Sequence, residues 1–582
     1  TELGTAVLED LSQPLPAPYA DSRATKVTVG NPHCVIEVED EGALDLVRLA
    51  RVVEAHPDFP DGVNVGVVAR RLAETGARVV LLEAGPKDWH PYIHIPAAIL
   101  KLLNHPTLNW NYKSEGESGT AGRQIPWPRG KTLGGSSSIN GMLYIRGHGA
   151  DYDAWAQAGC RGWSYDDVLP YFRRSENFFG AEDDYRSKGG LLNVAPPAER
   201  HPLGEAFLQA CAEAGHPTGH DYNGASQEGV GYFQLTTKNG RRCSAAVAYL
   251  KPARSRENLQ IVTNALVSRI VLDGKKVTGV RYLDKSGVEQ TITIRREVIL
   301  SGGAINSPQV LMLSGIGDPE HLKDHGVDPV HALPGVGRGL QDHLQARLVY
   351  KCNEPTLNDE VRSLFNQAKI ALKYALFRAG PMTMAASLAT GFLKTRPELE
   401  TPDIQFHVQP WSADSPGEGV HPFSAFTMSV CQLRPESRGE IRLTGADPKR
   451  YPKIIPRYLS TETDCNTIVD AVKIARRIAR NAPLTSKISE EFRPTSSLDM
   501  EDYEGTLDWA RQNSVSIYHP TGTCKMGTGE DAVVDPRLRV HGIEGLRVAD
   551  CSIIPEIVSG NTNAPAIMIG EKASDLIRDK SA

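Results

Sequence analysis

Residues 64–86, NVGVVARRLAETGARVVLLEAGP, restrict the fold more than any other stretch. Val68 and Leu72, with the small Ala69 and Ala73, fall at helical spacing, and Gly76 stands where such a helix stops. Arg78-Val79-Val80-Leu81-Leu82 is then a short apolar run suited to a buried strand, closing on Glu83. A helix feeding a buried strand that ends on an acid is the second half of a dinucleotide-binding unit, which commits this part of the chain to an α/β architecture. Such a unit has a glycine-rich turn directly upstream that brings backbone N–H groups against a pyrophosphate. Upstream here stand Asp61-Gly62-Val63-Asn64-Val65-Gly66, with no G-x-G-x-x-G.

At 582 residues the chain exceeds what one core holds, so two to four domains are expected. A formal charge of −6 leaves no basic excess to neutralise phosphates, which argues against a nucleic-acid binder. The nine cysteines are scattered singly, without a C-x-x-C, which suits free thiols in a reducing compartment, and no metal site is expected. No apolar run reaches the roughly 18 residues of a spanning helix and no signal-peptide pattern opens the chain. The expectation is a soluble cytoplasmic protein, with peripheral membrane contact left open.

Residues 1–68 divide into a Pro/Ala-rich lead-in and a segment, 27–68, that alternates a strand-like CVIEVED with a helix-like ALDLVRLARVVEAH. Residues 69–335 read as the nucleotide-type domain with long Gly/Ser-rich loops inserted. Within it LQIVTN, LVSRIVL, VTGVRYL and EQTITI form a β-meander with turns at Asp273-Gly274 and Lys285-Ser286-Gly287. Residues 336–510 form a separate lobe of strands and amphipathic helices, and 511–582 return to the first domain.

Three loops and one short segment carry candidate chemistry. PRGKTLGGSSSINGMLYIRG (128–147) gathers Gly134, Gly135, Ser136, Asn140 and Gly141, a flexible, hydroxyl-rich loop able to wrap a flat polar cofactor. SGGAINSPQVLMLSGIG (301–317) puts Gly303 between a buried strand and a helix, where phosphates can approach. ADCSIIPEIVSGNTNAP (549–565) puts Asp550 at a strand end, ahead of Asn561, Thr562 and Asn563. In YHPTGTCKMG (518–527), a proline fixes the backbone after His519 and small residues follow, leaving the imidazole room to face a cavity and take a proton from an alcohol. An amide at Asn563 could hydrogen-bond the same oxygen.

Taken together, LLEAGP, PRGKTLGGSSSINGM, SGGAINSPQVLMLSGIG, LPGVGRGLQDH, RPESRGEIRL, HPTGTCKMG and GNTNAPAIMIGEKA resemble, in order, the glucose-methanol-choline (GMC) oxidoreductases, most of all the choline and aliphatic alcohol dehydrogenase branch. The resemblance runs from about Ala69 to the C-terminus. It implies a Rossmann-like FAD-binding domain with a GMC substrate-binding domain. Glu83 is implied to hold the adenosine ribose, and Val267 to meet the adenine. The loop through Gly134, Gly135, Ser136, Asn140 and Gly141 is implied to line pyrophosphate and flavin, with Gly303, Asp550, Asn561 and Thr562 around it. His519 matches the catalytic histidine and Asn563 its partner. Some relatives attach flavin through a histidine in the serine-rich loop; Ile139 matches that position, so FAD is expected to be non-covalent. The implied reaction oxidises a primary alcohol to an aldehyde by hydride transfer to flavin N5. Quinone and oxygen both remain open as electron acceptor, and Thr521-Gly522 differ from the choline-specific members.

The front departs from that pattern. VTVGNPHCVIEVED and HPDFPDGVNVGVV resemble two stretches of diaminopimelate epimerase, with Asn31 and Asn64 on substrate-contacting asparagines. An epimerase needs two opposed cysteines, and neither matching motif is present. The segment thus reads as an epimerase-like fragment in place of the first strand and phosphate turn. FAD binding weakened by that loss is the expectation; an epimerase-like isomerase and an inactive fusion remnant are the alternatives.

Overall fold

The computed structural model describes residues 7–10, 23–29, 31–37, 66–219, 221–414 and 419–578. It divides into two units, Thr1–Val63 and Asn64–Ala582. The first contains a three-stranded antiparallel sheet in which Arg23–Val29 pairs with both Val7–Asp10 and Asn31–Glu37. The start of CVIEVED lies in its last strand; the helix-like stretch 43–56 and Asn64 lie outside the described residues.

In the second unit the opening helix is Val67–Glu74, one residue earlier than its apolar spacing suggests, and the strand is Val79–Glu83. Ala69 and Ala73 pack against Leu250 and Leu259, their small side chains letting the helix lie close to its neighbours. The Asn258 amide donates to the carbonyls of Ala73 and Ala77 at 2.8 Å each, closing the helix-to-strand turn. Arg71 grips the buried Glu571 carboxylate through two nitrogens at 2.9 Å, fastening this helix to the last one, Asn563–Arg578.

The meander expected over 259–301 loses its first strand. Leu259–Thr263 pairs parallel with Val79–Glu83, while Leu266–Asp273, Lys276–Leu283 and Glu289–Thr293 form the antiparallel three. Val298–Leu300 pairs parallel with Leu546–Val548. Each parallel pair therefore delivers loops at its carboxyl ends, where α/β sheets bind ligands: Glu83 on one, Gly303 and Asp550 on the other.

The second lobe is built on a seven-stranded antiparallel sheet. Its path runs Ile488–Arg493, Leu344–Cys352, Ala425–Gln432, Ile404–Gln409, Ala389–Leu393, Gly229–Tyr232, with Val515–Ser516 added beside Leu344–Cys352. Two of these strands come from outside 336–510, so the lobe is stitched from three stretches of chain. Alternation along each strand divides the sheet into two faces. One is apolar: Ala346, Val430 and Phe406 stand in one row, Leu348, Met428 and Val408 in the next. The helix Glu462–Ala479 packs on the sheet, burying Ile468, Val472 and Ala475. The other face is polar, with rows Gln345–Cys431–Gln405 and Arg347–Ser429–His407–Thr390. A whole polar face inside a protein needs a reason, and the site supplies it.

The eight cysteines whose side chains are described are free thiols. Among the described residues no helix is long and apolar enough to cross a membrane, and no His/Cys/Asp/Glu group is arranged to hold a metal.

Candidate functional site

His519 sits in a turn organised by one carboxylate. Asp342 accepts the His519 backbone N–H at 2.6 Å and the Ser516 hydroxyl at 2.5 Å, and also the Tyr458 hydroxyl. The preceding Tyr518 holds φ +69°, and its carbonyl is gripped by the Arg129 guanidinium. The imidazole is thereby aimed by its own backbone.

Its two nitrogens have distinct partners. Nδ1 lies 3.0 Å from His343 Nδ1, and His343 Nε2 lies 2.9 Å from the Leu433 carbonyl. A carbonyl can only accept, so neutral His343 carries its proton on Nε2 and offers its Nδ1 lone pair. His519 must then donate from Nδ1, which leaves the lone pair of His519 on Nε2. The Asn561 amide donates to that atom at 3.0 Å, and its own oxygen accepts from Gln405 at 3.3 Å, which fixes the amide orientation. Burial pushes His343 down to about 4, and burial first, then the fields of His343, His407 and Arg129, holds His519 well below its usual range. The result is a neutral imidazole with an outward lone pair.

The partner expected at Asn563 is instead Asn561. Gly560, at φ +155°, lies so close to Ile145 that a Cβ would meet its Cγ2 at 2.3 Å; the chain turns there and presents residue 561. Two residues later the backbone is already helical, and Asn563 becomes the first residue of Asn563–Arg578. Thr562 is buried between them, its carbonyl capturing the Ala566 N–H at 3.0 Å.

Several polar atoms here are buried without a hydrogen bond: His407 Nδ1, Gln405 Oε1, Gln409 Oε1, Ser429 Oγ, Arg347 Nη1 and, two residues after His519, Thr521 Oγ1. Buried polar groups are satisfied nine times in ten or better. Five of these six stand on the polar sheet face, three of them along the 404–409 strand. Burial drives His407 to about 3, so it too is neutral.

The other expected residues gather at the parallel strand ends. Glu83 accepts the Gly85 N–H at 2.7 Å, and burial pushes its carboxyl up to about 8 against that bond and the Lys131 charge. Ala265 donates to the Glu83 carbonyl at 2.9 Å, which sets Val267 near the same strand end. Asp550 accepts the Gly303 N–H at 2.9 Å, the Ser307 hydroxyl at 2.6 Å and the Ser552 N–H at 2.8 Å, so it joins the two loops. In the serine-rich loop the hydroxyls turn inward: Ser136 accepts from Gly130, and Ser137 and Ser138 donate to the carbonyls of Gly134 and Leu133. Gly134 at φ +84° admits no side chain, since a Cβ would meet Ser138 Oγ at 2.5 Å. Asn140 is held at 2.7 Å by Arg242, whose guanidinium also donates to the carbonyls of Ile93 and Ser137, and Gly141 packs against Ala386.

These loops can be set beside known proteins. A family model described as GMC oxidoreductase matches residues 62–345, and its C-terminal counterpart matches 435–570. The chain belongs to the GMC oxidoreductase family. It is 43% identical to an oxygen-dependent choline dehydrogenase of Brucella canis, over 88% of this chain and 93% of that protein. It is also 43% identical to the mitochondrial choline dehydrogenase of Homo sapiens, over 89% of this chain and 88% of that one. Among solved structures, pyridoxine 4-oxidase from Mesorbium loti superposes with a TM-score of 0.80 at 31% identity, covering 89% of this chain and 99% of that one. A formate oxidase gives 0.81 at 26%, covering 89% and 97%.

Sequence reading passed over Asp342, His343, Gln405 and His407. LPGVGRGLQDH carries the first two, but nothing local says what they touch. The other two stood in plain sight: IQFHVQ alternates apolar and polar without a break, the mark of a strand with one polar face.

Proposed function

We propose that the protein oxidises a primary alcohol to an aldehyde with FAD held non-covalently. The observation that carries this is the His519 Nε2 lone pair, prepared by His343 and accompanied by the Asn561 amide. The residues present suit the cofactor. Glu83 has a raised carboxyl with one backbone donor, suited to ribose hydroxyls, and the bare Gly134 lets the serine-rich loop close tightly on Ser138 and Ala246, holding that loop in a fixed shape. Ile139 offers no nucleophile and packs with Ile93, Leu102 and Leu108, which fits a cofactor without a covalent link at that position.

In this reading His519 takes the hydroxyl proton on Nε2, and the Asn561 N–H then turns to the developing alkoxide. Such base assistance is worth roughly 10²–10⁴ in rate. His343 keeps the other nitrogen occupied, so the accepted proton has one destination. Gln405 holds the Asn561 oxygen and keeps its N–H aimed inward. The chemistry that bound FAD would supply is a hydride acceptor for the alcohol carbon.

The sequence at 61–66 lacks G-x-G-x-x-G, so we infer that FAD binds more weakly than in a protein that has it. Two missing charge-assisted backbone bonds correspond to about 3–6 kcal/mol. Residues 27–68 are read as an epimerase-derived fragment without epimerase activity, since Cys34 has no second cysteine within the fragment. The test is anaerobic mixing of the FAD-saturated chain with a primary alcohol. Bleaching of the flavin band with aldehyde formed, and no proton exchange at the α-carbon of diaminopimelate, is expected. Flavin that stays oxidised with every alcohol would overturn the reading.

A further inference from the structure

Arg347 is 7% exposed, and its Nη1 is fully enclosed without a hydrogen-bond partner among the described residues. Guanidinium remains protonated at any ordinary pH, and a buried charge without a partner is costly enough that proteins seldom keep one. The one carboxylate among the described residues whose field is seen to reach Arg347, Asp414, makes no hydrogen bond to it and is engaged elsewhere, accepting from Arg493 at 2.5 Å and from His421 at 3.2 Å. Asp342 is likewise taken, by Ser516, Tyr458 and the His519 N–H. What would balance Arg347 is thus an anion that the described residues do not supply.

Its position says where that anion belongs. Arg347 stands in the same cross-strand row as Ser429 and His407. Two strand spacings, about 10 Å, separate its backbone from that of His407, and His407 is one of the groups whose field acts on His519. The Tyr518 phenol, next to His519 in sequence, feels the Arg347 charge. The guanidinium therefore stands on the polar face, in a row of unsatisfied polar atoms next to the Gln345–Cys431–Gln405 row, whose Gln405 holds the Asn561 amide on His519.

We propose that the alcohol oxidised by this protein carries a carboxylate, which Arg347 receives in a two-pronged pair while the hydroxyl meets His519 and Asn561. This rests on the alcohol-oxidising reading above and narrows it. A planar fork of donors matches a carboxylate in geometry as well as charge, and the polar row between offers hydrogen bonds along the way. The same cation repels a quaternary ammonium, so choline is a poor substrate despite the identity to choline dehydrogenases.

Two measurements on the FAD-loaded chain test this. The first is binding of hexanoate and of hexanamide by calorimetry, which needs no turnover and so is separable from the oxidation reading. Hexanoate is expected to bind at least tenfold more tightly, and Arg347→Met to abolish the difference, with Arg347→Lys keeping part of it. The second compares ω-hydroxy carboxylates of increasing length with their methyl esters. The acids are expected to have the higher kcat/KM by roughly 10–100-fold through KM, and that acid-to-ester ratio is expected to fall to about one in Arg347→Met. Equal binding of acid and amide, or an acid preference that survives Arg347→Met, overturns the proposal.

A second feature stands apart from the site. In the helix Leu364–Phe377, Leu364, Phe365, Leu372, Leu376 and Phe377 are between 60% and 79% exposed, while Tyr374 on the opposite side is buried. At helical pitch Leu364, Phe365, Ala368, Ala371, Leu372, Ala375 and Leu376 form one continuous stripe, with Lys369 and Lys373 along its edge and no acid in the helix. Lys373 reaches Glu199 at 3.4 Å; Lys369 has no acidic partner among the described residues. Gly240 backs onto Arg378, and the neighbouring Arg241–Arg242 strand packs on Pro91–His94, beside which Trp89 and Tyr92 are 44% and 40% exposed. We infer that this face rests in the headgroup layer of an anionic lipid bilayer, apolar side inward and lysines at the phosphates. A second copy would set lysine against lysine. Co-sedimentation with phosphatidylcholine vesicles, with and without about a third phosphatidylserine, decides it. Binding to the anionic vesicles, lost in Phe365→Ser/Leu372→Ser and weakened about fivefold per charge by Lys369→Glu, is expected. No vesicle binding, or a dimer in solution dispersed by those same substitutions, overturns it.

Discussion

A proton leaving an alcohol at this site meets a histidine whose other nitrogen is already committed. That commitment runs from the Leu433 carbonyl through His343 to His519, and three consequences are measurable at single residues. His519→Gln removes the base and should slow flavin reduction by roughly 10²–10⁴ while leaving FAD bound, read by stopped flow. Asn561→Ala removes one charge-assisted donor, about 1.5–3 kcal/mol or 10–100-fold in kcat, whereas Asn563→Ala should stay near wild type because its side chain is not the one on the imidazole. Because burial holds His519 well below its usual range, the base is already free of its proton at neutral pH. The acid limb of the kcat/KM profile should therefore begin well under pH 6.5, the unperturbed histidine value; a limb centred there would show a solvated base.

At the scale of elements the polar sheet face explains both the site and a weakness. His343 and His407 are neutral in the fold, near 4 and near 3, but take a proton readily once unfolded. Their stabilising contribution is complete above about pH 6.5 and is lost as pH falls toward the folded values, His343 alone losing about 3 kcal/mol by pH 4. Melting temperature measured against pH should drop steeply between those limits, and His343→Phe should flatten part of the slope. Elements with a local signature were legible from residues alone: the alternation in Lys276–Leu283, the apolar run of Val79–Glu83, the helix before it. Pairing was not, because nothing in LQIVTN says that its partner is Val79–Glu83 and not the next strand along. The shift from Asn563 to Asn561 has the same origin. Where a loop ends and a helix begins depends on Gly560 meeting Ile145, a contact more than four hundred residues apart in sequence.

Across the whole molecule, two parallel strand pairs and one antiparallel sheet bring their functional ends together, and the motifs that signalled this were spread over almost the entire chain. Their order was readable as family resemblance; the face of the sheet that supplies Gln405, His407 and Arg347 was not, since a role there depends on three strands lying side by side. The weak FAD binding proposed for a chain without G-x-G-x-x-G at 61–66 is tested at this scale. Purified protein is expected to carry less than one FAD per chain, with added FAD raising the melting temperature in a concentration-dependent way; tight stoichiometric flavin would refute the weakened turn without touching the chemistry. The chemistry itself stands on one measurement: single-turnover reduction of the FAD-saturated chain by an alcohol, without oxygen, in wild type and His519→Gln side by side. One aldehyde per reduced flavin is expected, at a rate that collapses in the variant. Equal rates in the two proteins would contradict it.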